Sequence, residues 1–233
     1  MKKILAMIDE LVVIIISISG YVPKNATFIR TLSMGLSLIF LVLISSQKPQ
    51  NSFWALVYFL FAEGFYFGFI WLVLGQNGLK ARFIRIWGEE KAYLIYEGIL
   101  GFLFFHNGAS IGFLASATSP GSVVSSDNLN LAITAAFLFI FGFGIKILCT
   151  KTLSVEIYYW KDMFLGRKII EFNEKGPYKY FTNPMYGVGQ AQAYAVALWY
   201  CSSLGAVSAM LNQLLIFWFY FQVEKKFIKK IYS

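Results

Sequence analysis

Apolar runs of helical length fill this chain and dictate what it can fold into. They lie near 4–21, 31–46, 53–75, 93–116, 129–149, 184–202 and 205–223. A helix that crosses a bilayer takes roughly 20 apolar residues. The chain is therefore expected to be all-α, a polytopic transmembrane bundle of about seven helices. Composition supports this, since 58% of the 233 residues are hydrophobic and 14% charged, more apolar surface than a soluble domain of this size can bury.

The basic residues set the orientation. Lys80, Arg82, Arg85 and Lys91 follow the third run, Lys151 to Lys179 precede the sixth, and Lys225, Lys226, Lys229 and Lys230 end the chain. Seven crossings put these segments on one side, which the positive-inside rule makes cytoplasmic, the C-terminus included. The loop Ser119–Asn128 on the other side has no basic residue. Only Lys2 and Lys3 disagree. The net charge of +8 thus suits an anionic leaflet rather than nucleic acid. Asp9 and Glu10 interrupt the first run and no small-residue cleavage site follows, so it reads as a membrane helix rather than a signal peptide. A multi-pass protein of a bacterial inner membrane or the endoplasmic reticulum is expected. Residues 1–128 would supply N-terminal helices and 129–233 a catalytic core. The stretch Leu153–Thr182 mixes aromatic and charged residues and suits an interfacial helix.

The last two runs form one apolar stretch, Pro184 to Val223, about twice the length of a single crossing. It reads as a helical hairpin whose two ends return to one side. Asn183, Tyr186 and Glu224 should then be neighbours in space. Each has a plain alternative. Asn183 and Pro184 are good residues for a helix start, Gly187 and Gly189 suit helix packing, and Glu224 could pair with Lys225 or Lys226. Cys149 and Cys201 have no metal or redox spacing, and no His/Cys/Asp cluster suits a metal. Glu63, Glu97, His106 and Asn107 fall inside apolar runs, where polar groups are costly and often functional. A lone His106 reads as a satisfied bundle residue, and Glu97 lies near a helix end.

The segment GPYKYFTNPMYGVG (Gly176–Gly189) resembles the motif of the membrane phospholipid and isoprenylcysteine methyltransferase superfamily. Its Asn-Pro-Met-Tyr looks like the phosphatidylethanolamine N-methyltransferase branch. Tyr159-Trp160-Lys161-Asp162-Met163-Phe164 and the ending Val223-Glu224…Ile228…Lys230…Tyr232 are similar to segments of the larger fungal enzymes. The resemblance covers about 140–232. The chain departs from it at Lys225, where many members have a second Glu, and at Lys161. The resemblance implies S-adenosylmethionine as cofactor and a phosphatidylethanolamine-like lipid as substrate. Carried over by position, Tyr178, Asn183, Pro184, Tyr186 and Gly189 would line the cofactor pocket, with Glu224 closing it. Gly142 and Gly144 resemble a Gly-x-Gly element beside the cofactor. Asp162 and Glu224 are the candidates for accepting the substrate proton.

Three other functions compete. A carboxyl methyltransferase for prenylated cysteine would have His at position 183 and a Glu pair. A sterol-type reductase would share the helical hairpin and use a nicotinamide cofactor. A transporter or scaffold would depend on Glu63 and Glu97 instead.

Overall fold

A computed structural model describes residues 2–47, 51–122, 128–169 and 175–232, so the loop Ser119–Asn128 and the stretch Leu153–Thr182 lie partly outside the described residues. The helices are α1 (Lys2–Ile18), α2 (Phe28–Ser46), α3 (Ser52–Leu74), α4 (Lys80–Trp87), α5 (Glu89–Ala117), α6 (Leu129–Leu153), α7 (Val155–Tyr158), α8 (Lys161–Leu165), α9 (Ala191–Trp199), α10 (Ser203–Phe219) and α11 (Lys225–Ile231). A π-helical turn, Tyr220–Glu224, joins α10 to α11 without a break.

Polar caps start the long helices where the apolar runs begin. Asn51 Oδ1 accepts from Phe53 N at 3.0 Å and Trp54 N at 3.3 Å to open α3. Asn128 does the same for α6, and Ser202 Oγ accepts from Gly205 N at 2.8 Å to open α10. These side chains satisfy amides that have no partner within the helix. Small residues then bring helices together, as lipid gives no hydrophobic reason for them to pack. At Gly205 on α10, a Cβ would lie 2.7 Å from the Cβ of Ala115 on α5.

Among the described residues, five helical segments are long and apolar enough to cross a membrane: α2, α3, α5, α6 and the continuous Ser203–Ile231. Two of the seven expected runs fall outside this set. The first gives α1, a 17-residue helix that carries Asp9 and Glu10. The sixth, 184–202, is no single helix. It holds turns, a short 3-10 segment at Val188–Gln190, and the nine-residue α9. At 1.5 Å per residue α9 is about 14 Å long, roughly half the hydrocarbon thickness. The stretch from Leu153 is likewise no continuous interfacial helix. Ser154 (φ 84°), Trp160 (φ 52°) and Gly166 (φ 69°) break it into α7 and α8.

Large apolar side chains such as Phe28, Phe137, Ile140 and Trp218 point outward, as lipid-facing residues do. The main core lies at one end of the bundle, where α7 and α8 tuck under α3, α5 and α10. Tyr96 stacks on Phe164 with ring centroids 4.7 Å apart, and Trp160 meets Phe219 edge-on at 5.2 Å. The Tyr159 hydroxyl donates to the Ser17 carbonyl at 2.7 Å, which ties α1 to this end.

Candidate functional site

The arms of the C-terminal hairpin are unequal, and this shapes the site. The connection between α9 and α10 meets the end of α5, where Ser202 and Thr118 hydroxyls bond at 2.7 Å. At the other end of α9, Gln190 bonds Asn212, which in turn bonds Asn107 in the interior of α5. The chain therefore enters the hairpin deep in the bundle, through irregular backbone. Asn183 Oδ1 accepts from Tyr186 N at 3.3 Å, and the Asn183 carbonyl accepts from Gly187 N at 3.0 Å. The Pro184 carbonyl accepts from Gly189 N at 2.8 Å. Gln213 on α10 donates to the carbonyls of Tyr186 at 2.9 Å and Gly187 at 3.2 Å. Buried backbone groups are thereby paired without a helix.

This turn aims Tyr186 along α10. Its hydroxyl donates to Glu224 Oε2 at 2.9 Å. Burial and the adjacent carboxylate push the Tyr186 hydroxyl up from its usual value, so it stays a donor. Glu224 ends the π-helical turn, where the wider winding re-aims side chains, a geometry frequent at functional sites. The Trp160 side chain also bonds Glu224. Trp160 adopts a left-handed backbone, unusual for a bulky residue. Two residues on, Asp162 is buried, with Oδ1 accepting from Met163 N at 2.8 Å and Oδ2 from the Tyr232 hydroxyl at 3.0 Å. Burial holds its carboxyl above the usual value, and these two hydrogen bonds pull the other way. Two carboxylates, each steadied by a tyrosine hydroxyl, thus face one cavity.

That cavity has a volume of about 820 Å³, within the range of ligand sites. Asp162, Tyr178, Asn183, Tyr186 and Glu224 all line it. Tyr178 shares a hydrogen bond with the Cys149 thiol, and burial pushes its hydroxyl up. Four candidates from the sequence lie outside the lining. Pro184 is fully buried beneath the turn. Gly189 lies against the Lys146 stem, and Gly142 against the backbone of Gln192 and Gly189. A Cβ on Gly144 would meet nothing within 4 Å.

Residues 131–233 match the family model described as phospholipid methyltransferase. The chain carries a domain of the phospholipid methyltransferase family. No curated protein and no solved structure matches the chain significantly. The match includes Asp162, Tyr178, Asn183, Tyr186 and Glu224, together with helices α6 to α11. A general role in methyl transfer to phospholipid follows from it.

The methyltransferase domain also contributes to a polar chain that motif reading did not assemble. Lys146 Nζ donates to Gln190 Oε1 at 3.2 Å, and Gln190 Nε2 donates to Asn212 Oδ1 at 2.5 Å. Asn212 Nδ2 donates to Glu63 Oε1 at 2.9 Å and to Asn107 Oδ1 at 2.9 Å. The intramembrane positions of Glu63 and Asn107 were the only signal of it. The other intramembrane polar groups have structural partners. Glu97 pairs with Arg30 at 3.0 Å and accepts from Asn25 at 2.7 Å. His106 bonds Ser37 at 2.9 Å and Tyr58 at 2.7 Å.

Proposed function

We propose that the chain transfers methyl groups from S-adenosylmethionine to the amino head group of phosphatidylethanolamine or a near relative. The single observation that carries this reading is the pair of carboxylates, Asp162 and Glu224, on one cavity of ligand size within a phospholipid methyltransferase domain. The donor set fits both ligands. Each brings a cation, a sulfonium or an ammonium, and two carboxylates supply the opposite charge. The aromatic faces of Tyr66, Trp160, Tyr186 and Tyr220 line the same space and attract cations through their π-systems.

The sulfonium supplies an activated methyl when the cofactor is bound. Tyr178 and Asn183 would hold its polar groups, and Glu224, fixed by Tyr186 and Trp160, would stand by its charge. The chain contributes alignment, which accounts for much of the acceleration when two reactants are held in line. The lipid amine must lose a proton before its lone pair can attack carbon. Asp162 suits that role because burial raises its affinity for a proton. The Tyr232 hydroxyl keeps Oδ2 oriented. The basic rim near this end, which includes Lys80 donating to the Met163 carbonyl at 2.9 Å, suits the cytoplasmic face.

The test is lipid analysis of cells expressing the chain with methyl-labelled S-adenosylmethionine. Label in mono-, di- or trimethylated phosphatidylethanolamine is expected. Its absence from all three, with the protein folded in the membrane, would refute the reading.

A further inference from the structure

Lys146 lies within the membrane-spanning α6 with only 9% of its surface exposed, and it lines the cavity. Its ammonium has three N–H donors and gives one to the neutral amide of Gln190. Among the described residues no carboxylate pairs with it. A cation in such surroundings is costly unless an anion or a full set of acceptors balances it. The carboxylate of the surrounding network, Glu63, is separated from Lys146 by the amides of Gln190 and Asn212. Gln190 turns its oxygen to Lys146 and its NH2 to Asn212, and Asn212 turns its NH2 to Glu63 and Asn107. Each amide oxygen of this chain already accepts one bond, and donors are left over at Lys146 and Asn107. Asn107 is 4% exposed and lines the same cavity, and its Nδ2, beside Glu63, makes no hydrogen bond of normal length among the described residues.

We propose that Lys146 and Asn107 form an anion subsite in the wall of the methyltransferase cavity, which takes a carboxylate or phosphodiester oxygen of the bound ligand. The inference rests on the proposed function, which offers two such anions: the amino-acid carboxylate of the methyl donor and the phosphodiester of the lipid. In either case the subsite anchors a ligand by its negative end while Glu224 and Asp162 meet its positive end. Ligand orientation is thereby fixed by two charges of opposite sign.

Binding to purified protein in micelles, measured with two ligand pairs, tests this. One pair is S-adenosylmethionine and its decarboxylated analogue. The other is a short-chain phosphatidylethanolamine and an amino lipid that lacks phosphate. Lys146→Met keeps most of the apolar stem and removes the charge. It is expected to weaken the anionic member of at least one pair by about 10- to 100-fold, the loss typical of a charged hydrogen bond, and to leave its partner within about twofold. The affected pair names the source of the anion. Lys146→Arg should retain most of the binding. Asn107→Asp keeps the acceptor for Asn212 while replacing the donor with a negative oxygen, so it should show the same selectivity, and it decides the matter if Lys146→Met does not fold. Equal weakening within both pairs, or no weakening, would overturn the subsite. A wild-type protein that binds lipid but no sulfonium donor would refute the proposed function and leave the lipid pair to decide the subsite. A wild-type protein that binds none of the four would overturn both.

Discussion

Two glycines two residues apart on α6, and so on nearly opposite faces of it, give a sharp test of how the cavity wall is built. Replacing Gly142 with Ala puts a Cβ 2.5 Å from the amide nitrogen of Gln192, 3.0 Å from the Gly189 carbonyl oxygen and 3.2 Å from the Ala191 carbonyl carbon. All three neighbours are backbone, so no side chain can swing aside. The start of α9 would have to move away from α6 by several tenths of an ångström. Overpacking of this kind costs about 1–3 kcal/mol. The same change at Gly144 meets nothing within 4 Å and should cost nothing measurable. The assay is thermal unfolding of purified protein in one detergent, followed by tryptophan fluorescence, with methyl-donor binding measured on the folded protein. Gly142→Ala should melt at a lower temperature and bind the donor more weakly, because Gln190 and Gly189 move with α9. Gly144→Ala should match wild type in both. If Gly142→Ala melted like wild type, or if Gly144→Ala lost donor binding at unchanged stability, the packing account of this Gly-x-Gly pair would be wrong and a direct cofactor contact would replace it.

Other expected outcomes follow from the same geometry. Glu224→Gln should reduce methyl transfer by about 10- to 100-fold, the loss of one charged contact, in protein that still purifies as a folded species, as shown by label incorporation per mole of enzyme. Tyr186→Phe deletes one hydrogen bond to a carboxylate and should cost about 10- to 100-fold in kcat/KM. If Asp162 accepts the proton, activity should fall on acidification through a midpoint above its ordinary value of 3.8, because burial raises it and only the ionised form is a base. Tyr232→Phe removes a bond that favours ionisation, so it should move that limb to higher pH, and Asp162→Asn should abolish the limb. Arg30→Met leaves Glu97, whose side chain is 1% exposed, without its cation. That should destabilise the protein by about 3–5 kcal/mol, seen as a lower melting temperature, with donor affinity of the remaining folded protein unchanged.

The meeting of Asn183, Tyr186 and Glu224 was legible in the sequence because each flanks a run whose length and polarity are plain. The broken sixth run was not. Hydropathy gives the same value to Tyr186-Gly187-Val188 whether lipid or protein surrounds it, and a donor to the irregular backbone at Tyr186 and Gly187 is Gln213, 27 and 26 positions away. The left-handed Trp160 left no local signal either, since its conformation is fixed by packing against Phe219 and by Glu224. Lys146, Gln190 and Asn212 stand singly in apolar surroundings with no shared spacing. The bond from Asn212 to Glu63 spans 149 positions, so it emerges only once four helices are placed. The Gly142–Gly144 pair is the reverse case, a recognisable pattern whose two members have different surroundings.

Gln213 has a consequence for how the protein is made. Its side-chain amide sits on α10 yet donates to the carbonyl of Tyr186 and adds a second donor to that of Gly187, which also accepts from Gln190 N at 3.1 Å. The hairpin thus pairs part of its broken arm from its own second arm, without α5 or α6. Gln213→Leu would make the segment more apolar on any hydropathy scale and should nonetheless lower its yield in the membrane. Here greater greasiness opposes integration.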